Sequence, residues 1–209
     1  PFSAYAEIDN HGSDFIGPYI ATAVATANQP FGLGENLSIV GSATADREEF
    51  AAITFNVGSI LGASGLSGSV QAGFAESRPG GDLEDADVQT RAVNVGGRLS
   101  YPILLRRRRE LAVGLSFTHR DTRTTLAGLD LNNDRTNVVA LRLRGAVQGP
   151  FRGATQAAIS LSQGVPLFGE NTRTGFAPTR AGAEFDFTRL NATLSALQPV
   201  IGPLRLRAD

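Results

Sequence analysis

The stretch from Val93 to His119 alternates with strict period two on both sides of a basic run, and it constrains the chain more than any other. Val93, Val95, Gly97, Leu99 and Tyr101 alternate with Asn94, Gly96, Arg98 and Ser100. On the return, Leu111, Val113, Leu115 and Phe117 alternate with Ala112, Gly114, Ser116 and Thr118. Successive side chains of a strand point to opposite faces, so the stretch predicts one long β-hairpin with a branched-aliphatic or aromatic face and a small, polar face carrying an arginine. Such a ribbon needs two different surroundings. The apolar face must meet a protein core or lipid, and the polar face bulk water or an enclosed wet lumen.

No run of about 18 apolar residues exists in the 209, which excludes a helical membrane protein. It leaves a membrane β-barrel open, because alternating strands average to a mean hydropathy near zero. A net charge of -1 argues against a nucleic-acid partner, although all 19 basic residues are arginine. The absence of cysteine leaves the redox compartment open. Many of the 24 glycines fall inside the strand patterns, as tight curvature or a crowded wall requires. The chain opens at Pro1 in a strand pattern, so any targeting segment is expected upstream.

Read in order, eleven strands are expected: Phe2–Asp9, Tyr19–Ala27, Leu37–Ala45, Phe50–Ile60, Leu66–Ser77, the two hairpin arms, Arg135–Val147, Ala154–Gly164, a tenth through Leu194 and an eleventh from Leu204. The tenth begins with Phe185 and Phe187 on one face and Glu184 and Asp186 on the other. Its parity has slipped at Leu190, Ala192 and Leu194, so a bulge is expected at Thr188 or Arg189. Short Pro, Gly or aromatic turns near Phe31, Leu61, Pro102, Phe151 and Pro199 alternate with polar connections near Gly12, Arg47, Gly80, Leu129 and Thr172. In an up-and-down sheet every second connection lies at one end, so the long polar loops share an edge, as in outer-membrane barrels. The expected strand lengths match the ~9–11 residues of a tilted membrane strand better than the ~5–6 of soluble sheets.

Three motifs carry a family resemblance: Ile8-Asp9-Asn10-His11-Gly12 with Gly17; Asn28-Gln29-Pro30-Phe31-Gly32-Leu33-Gly34-Glu35; and Leu99-Ser100-Tyr101-Pro102 with its trailing arginines. Together they resemble the barrel region of the two-partner secretion transporters, the haemolysin and adhesin activator/secretion proteins of the Omp85 superfamily. The resemblance singles out Asp9, Asn10, Gly12, Gly17, Pro30, Gly32, Leu33, Gly34, Tyr101 and Pro102. It implies a multi-pass barrel of about sixteen strands in the bacterial outer membrane. Residues 1–209 would be its N-terminal part, with POTRA domains before them and the last strands after. The implied work is to pass an unfolded partner exoprotein from periplasm to cell surface. Two departures stand out: Gln29 separates Asn28 from Pro30 where the family tends to have Asn directly before Pro, and the family's lid loop with its Arg-Gly signature is not in the chain.

The expected pore-lining residues are Arg98, Arg142, Arg144, Glu184, Asp186, Arg205 and Arg207. In a wet lumen they would hydrate the channel and give a sliding polypeptide transient partners. Taken singly, each is equally an ordinary ion-pair partner in a wall or on a solvated face. Arg106–Arg109 reads as a solvated turn, with contact to anionic headgroups the alternative. His11 and His119 read as surface histidines without metal-compatible neighbours. Asp130, Asn132 and Asp134 open like a calcium loop, but Arg135 stands where its glycine belongs and Leu141 where its bidentate glutamate belongs. No acid/base pair or nucleophile arrangement suggests catalysis, and neither a cofactor nor a small-molecule substrate is expected. The expected architecture is therefore an all-β, antiparallel up-and-down transmembrane barrel, incomplete, of about eleven strands. Its expected partners are the exoprotein and outer-membrane lipid. Two rivals remain: an Omp85 barrel-assembly factor, and a soluble or surface β-sandwich that binds other molecules.

Overall fold

The computed structural model describes residues 1–10, 12–13, 15–46, 48–149, 153–166, 173–174, 186–199 and 205–208. Among them, apart from one 3-10 turn at Gly81–Ala86, every regular element is a strand: β1 (Phe2–Asp9), β2 (Ile20–Asn28), β3 (Glu35–Thr44), β4 (Phe50–Ile60), β5 (Ser67–Ser77), β6 (Val88–Arg106), β7 (Arg109–Leu126), β8 (Leu129–Gln148), β9 (Ala154–Gly164), β10 (Arg173–Thr174), β11 (Thr188–Pro199) and β12 (Arg205–Ala208). Eleven of these form one antiparallel up-and-down path from β1 to β12, and β10 lies off it, paired with β8. This is the expected incomplete barrel wall.

The sheet is a single layer. No hydrophobic side chain is buried among the described residues, and Leu99, Leu115, Leu141, Leu161 and Leu190 are 46–68% exposed. A β-sandwich buries one face of each sheet about 10 Å from the other, so the sandwich rival fails. No described helix is long and apolar enough to cross a membrane, which leaves crossing by strands untouched.

Hydrogen-bonded rows across the sheet show how the apolar face runs. One row joins Leu190, Leu161, Leu141, Leu115 and Leu99, then continues to Gly68, Ser59 and Glu35. Another starts at Ile8, Ala21, Ala43 and Ala51 and ends at Glu76, Arg91 and Arg123. The first row is apolar only on the later strands and the second only on the earlier ones. The apolar band therefore crosses the rows diagonally, the course a level band takes across barrel strands tilted by about 35–45°.

Several local readings differ from expectation. Pro102 is not in a turn but inside β6, beside a register shift between Pro102 and Leu104, a place where a strand tolerates proline. The turn itself is Arg107-Arg108, closed by the Arg106–Arg109 pair. Residues 122–134, expected as a polar loop, continue β7 and β8 up to a tight turn at Ala127 (φ 49°) and Gly128 (φ 75°). Both faces of that ribbon are polar, so no alternation announces it. The bulge expected at Thr188 or Arg189 is absent: β11 begins at Thr188 and pairs with β9 without a break from Thr188–Gln163 to Leu197–Ala154. The apparent slip arose from counting Phe187, which precedes the strand, as part of it.

Candidate functional site

The polar face gathers its charge in one place. Arg98 on β6 shares a row with Ser116, Ala140, Ser162 and Arg189. One step toward the short turns, Arg142 shares a row with Ser100, Gly114, Ser160 and Asn191, and one step further Arg144 pairs with Ala112 and Ala158. These side chains, with Glu110, line a recess of about 240 Å³ on the polar side of β6–β9 and β11. The residues between the arginines are serine, glycine, alanine and asparagine, so nothing screens the guanidinium groups from the open side. Arg98, Arg142, Arg144 and Arg189 are exposed, and none makes an ion pair with a described carboxylate.

Of the seven expected pore-lining residues, Arg98, Arg142 and Arg144 come together here. Asp186 is exposed in a bend two residues before β11, outside the strand. Glu184 lies outside the described residues. Arg205 and Arg207 fall on β12, their backbones opposite Pro199 and Leu197. Sequence reasoning passed over Arg189 and Glu110. The period-two run Arg189, Asn191, Thr193 and Ser195 would have found Arg189 had the strand been started at Thr188.

The resemblance motifs become small backbone machines at the sheet edges. In the β2–β3 turn, the Glu35 carboxylate accepts hydrogen bonds from the N–H groups of Phe31 and Leu33, the latter at 2.6 Å. Gly32 and Gly34 both have φ 76°, conformations that glycine adopts without strain. Gln29, at the departure from the family pattern, has φ 53° and donates its N–H to the Glu35 carbonyl at 2.7 Å. The Glu35 carboxyl sits in the turn, outside the spanning part of β3. Burial pushes its pKa up, but the N–H groups of Phe31, Glu35, Leu33 and Gly32 outweigh that and hold it below the ordinary value.

At the opposite edge, Gly12 packs against the Gly17 carbonyl, and the Gly17 Cα, at φ 81°, faces the Glu49 carboxylate. Glu49 also abuts Gly80, whose N–H donates to Phe15 O at 2.8 Å, so the connections after β1, β3 and β5 are knit together. Asp9 and Asn10 lead into this loop, Asp9 as the last residue of β1, opposite Ile20. Pro30 follows Gln29 in the β2–β3 turn. Tyr101 is on the apolar face opposite Val113, while Pro102 closes over Gly65, where a Cβ would lie 3.0 Å from the proline Cγ.

Beyond the apolar band, on the same face and on the loop side, stand the ion pairs Arg91–Glu76 (3.1 Å), Arg135–Asp121 (2.8 Å) and Arg123–Asp130 (2.6 Å). His119, expected alone at a strand end, sits within β7 with Nδ1 2.7 Å from Asn137 Oδ1. Asp130, Asn132 and Asp134 are in extended β8 rather than a loop, and Asp130 is bound to Arg123.

Comparison with known proteins agrees with this geometry. The chain is similar in structure to CdiB from Escherichia coli, with TM-score 0.73 and 18% identity over 96% of this chain and 38% of that one. It is similar to CdiB from Acinetobacter baumannii, with TM-score 0.59 and 14% identity over 97% of this chain and 35% of that one. It also resembles BamA from Haemophilus ducreyi lacking POTRA domains 1-3, with TM-score 0.50 and 14% identity over 93% of this chain and 40% of that one. The chain thus spans well under half the length of each of these structures, and at such identities the likeness concerns the fold. No curated protein sequence is significantly similar to it. The model of the haemolysin secretion/activation protein family ShlB/FhaC/HecB matches residues 1–207, and the chain belongs to that family.

Proposed function

We propose that this chain is part of the wall of an outer-membrane pore that passes an unfolded partner exoprotein from the periplasm to the cell surface. Residues 1–209 are, in this reading, the N-terminal part of the barrel, preceded by POTRA domains in the complete protein. The observation that carries it is the pairing of two faces on one layer: a diagonal apolar band suited to lipid, and behind it a face of serine, glycine and arginines without a described acidic partner, suited to water. The short turns face the periplasm and the knit loops the outside.

The mechanism needs no catalytic group. A hydroxyl- and glycine-rich wall offers a sliding polypeptide hydrogen bonds that exchange readily with water, and arginines add long-range attraction without an enclosed pocket. Directional transport then comes from the partner itself, whose β-structure forms only after exit. The likeness to BamA concerns the fold and does not favour an assembly role.

The test is conductance of the intact protein in planar bilayers. Replacing Arg142 and Arg144 together by glutamate is expected to shift ion selectivity toward cations. Unchanged selectivity would remove them from the conducting path.

A further inference from the structure

The arginine recess is built more like a recognition surface than like general lumen lining. Outside the Arg106–Arg109 turn, several described arginines are matched: Arg78 with Glu48, Arg91 with Glu76, Arg123 with Asp130, Arg135 with Asp121, and Arg120 with Asn94 Oδ1. Arg98, Arg142, Arg144 and Arg189 have no described acidic partner and stand together on one face, with Glu110 the one acidic side chain among the described residues lining the recess. Four like charges held within a few strands of each other repel, and among the described lining residues Glu110 sets one negative charge against the four, so an external anion lowers the energy of the assembled sheet.

The spacing says what shape of anion fits. Arg142 and Arg144 are two residues apart on β8, so their Cα atoms repeat at about 6.6–6.8 Å. Arg98 and Arg189 lie two strands to either side, about 10 Å across the sheet. An extended polypeptide lying along β8 repeats its same-side residues at the identical ~6.6–6.8 Å. Carboxylates at alternate positions of such a chain would meet Arg142 and Arg144 in phase. The intervening Ser100, Ser160, Ser162 and Asn191 would supply hydrogen bonds to its backbone.

Resting on the pore reading, we propose that the recess is a docking site for extended acidic polypeptide. It engages alternating carboxylates of the passing chain near the short-turn mouth and retards acidic segments relative to neutral or basic ones. Guanidinium suits the task, because it stays charged and binds carboxylates bidentately, while the wet surroundings keep each contact weak enough to release.

The experiment uses the intact protein in detergent and in planar bilayers, with short poly-glutamate, poly-lysine and inorganic polyphosphate as probes. Fluorescent poly-glutamate is expected to bind the detergent-solubilised protein and reversibly block the channel. The Arg142→Gln/Arg144→Gln variant is expected to raise the concentration for half-binding by about tenfold or more. Arg107→Gln/Arg108→Gln, in the exposed turn, serves as the control of equal charge and should leave binding unchanged. Equal binding to wild type and the recess variant, or equal loss in the turn control, would overturn the site. Equally strong block by polyphosphate would overturn the polypeptide spacing. Poly-glutamate binding without measurable conductance would count against the pore while leaving the recess intact, so the two claims fail separately.

Discussion

Gly12 and Gly17 close on each other so tightly that any Cβ at Gly12 would collide with the carbonyl oxygen of Gly17. The contact makes the loop after β1 fold back on itself, an arrangement supported by the Ser13–Gly17 bridge and by the Ile16 N–H donating to Ser13 O at 3.3 Å. Two residues that the family resemblance singles out thus have one steric cause.

Gly12→Ala should therefore force the backbone apart and destabilise the loop by about 1–3 kcal/mol. Gly17→Ala adds strain of its own, because its φ is 81° and Glu49 Oε2 lies 2.7 Å from where the Cβ would stand. Protease accessibility of the first loop in folded protein is the measurement. Unchanged cleavage in Gly12→Ala would show that the loop accommodates a methyl group.

The β2–β3 turn should respond to acid. The Glu35 pKa is lowered on folding, so its contribution is complete above the ordinary value of 4.5 and is lost as pH falls through the folded value. Amide exchange at Phe31 and Leu33 should accelerate in that acidic window, after correction for intrinsic rates. Glu35→Gln should expose the same amides at neutral pH and make their exchange insensitive to acid.

Leu141 and Ala140 are neighbours in β8 with opposite outlooks. Leu141→Arg places a charge on the apolar band and should cost about 2–4 kcal/mol if the site is near the bilayer midplane. Ala140→Arg lies beside Arg98 and Ser162 on the wet face and should cost far less, although it adds to the local positive charge. Urea titration in lipid vesicles, followed by the gel mobility of folded and unfolded forms, compares them. Equal losses would contradict the assignment of faces.

Asp121 and Arg135 are partly exposed and lie beyond the apolar band, so their pairing should be worth about 0.2–1 kcal/mol and should weaken with salt. A double-mutant cycle with Asp121→Ala and Arg135→Ala measures it. A coupling several-fold larger would place the pair in a low-dielectric setting and move the upper edge of the band outward.

Much of this wall is written in local alternation. Leu99 beside Arg98, Leu141 and Leu143 beside Arg142 and Arg144, and Leu115 beside Ser116 declare two faces without reference to any other part of the chain. Local parity failed where the pattern was not binary. The ribbon from Thr122 to Asp134 is polar on both faces and resembles a loop, and Phe187 mimicked the start of β11, hiding Arg189.

What parity alone could not decide is which residues meet. The leucine row from Leu99 to Leu190, the drift of the apolar band across the strands, and the meeting of Arg98, Arg142, Arg144 and Arg189 all depend on register between strands. Register is set by pairings between distant segments. A strand's own sequence determines which side each residue faces, because the backbone repeats every two residues. Its neighbours determine the height at which that residue stands, because only hydrogen bonding across the sheet fixes one strand's position along another.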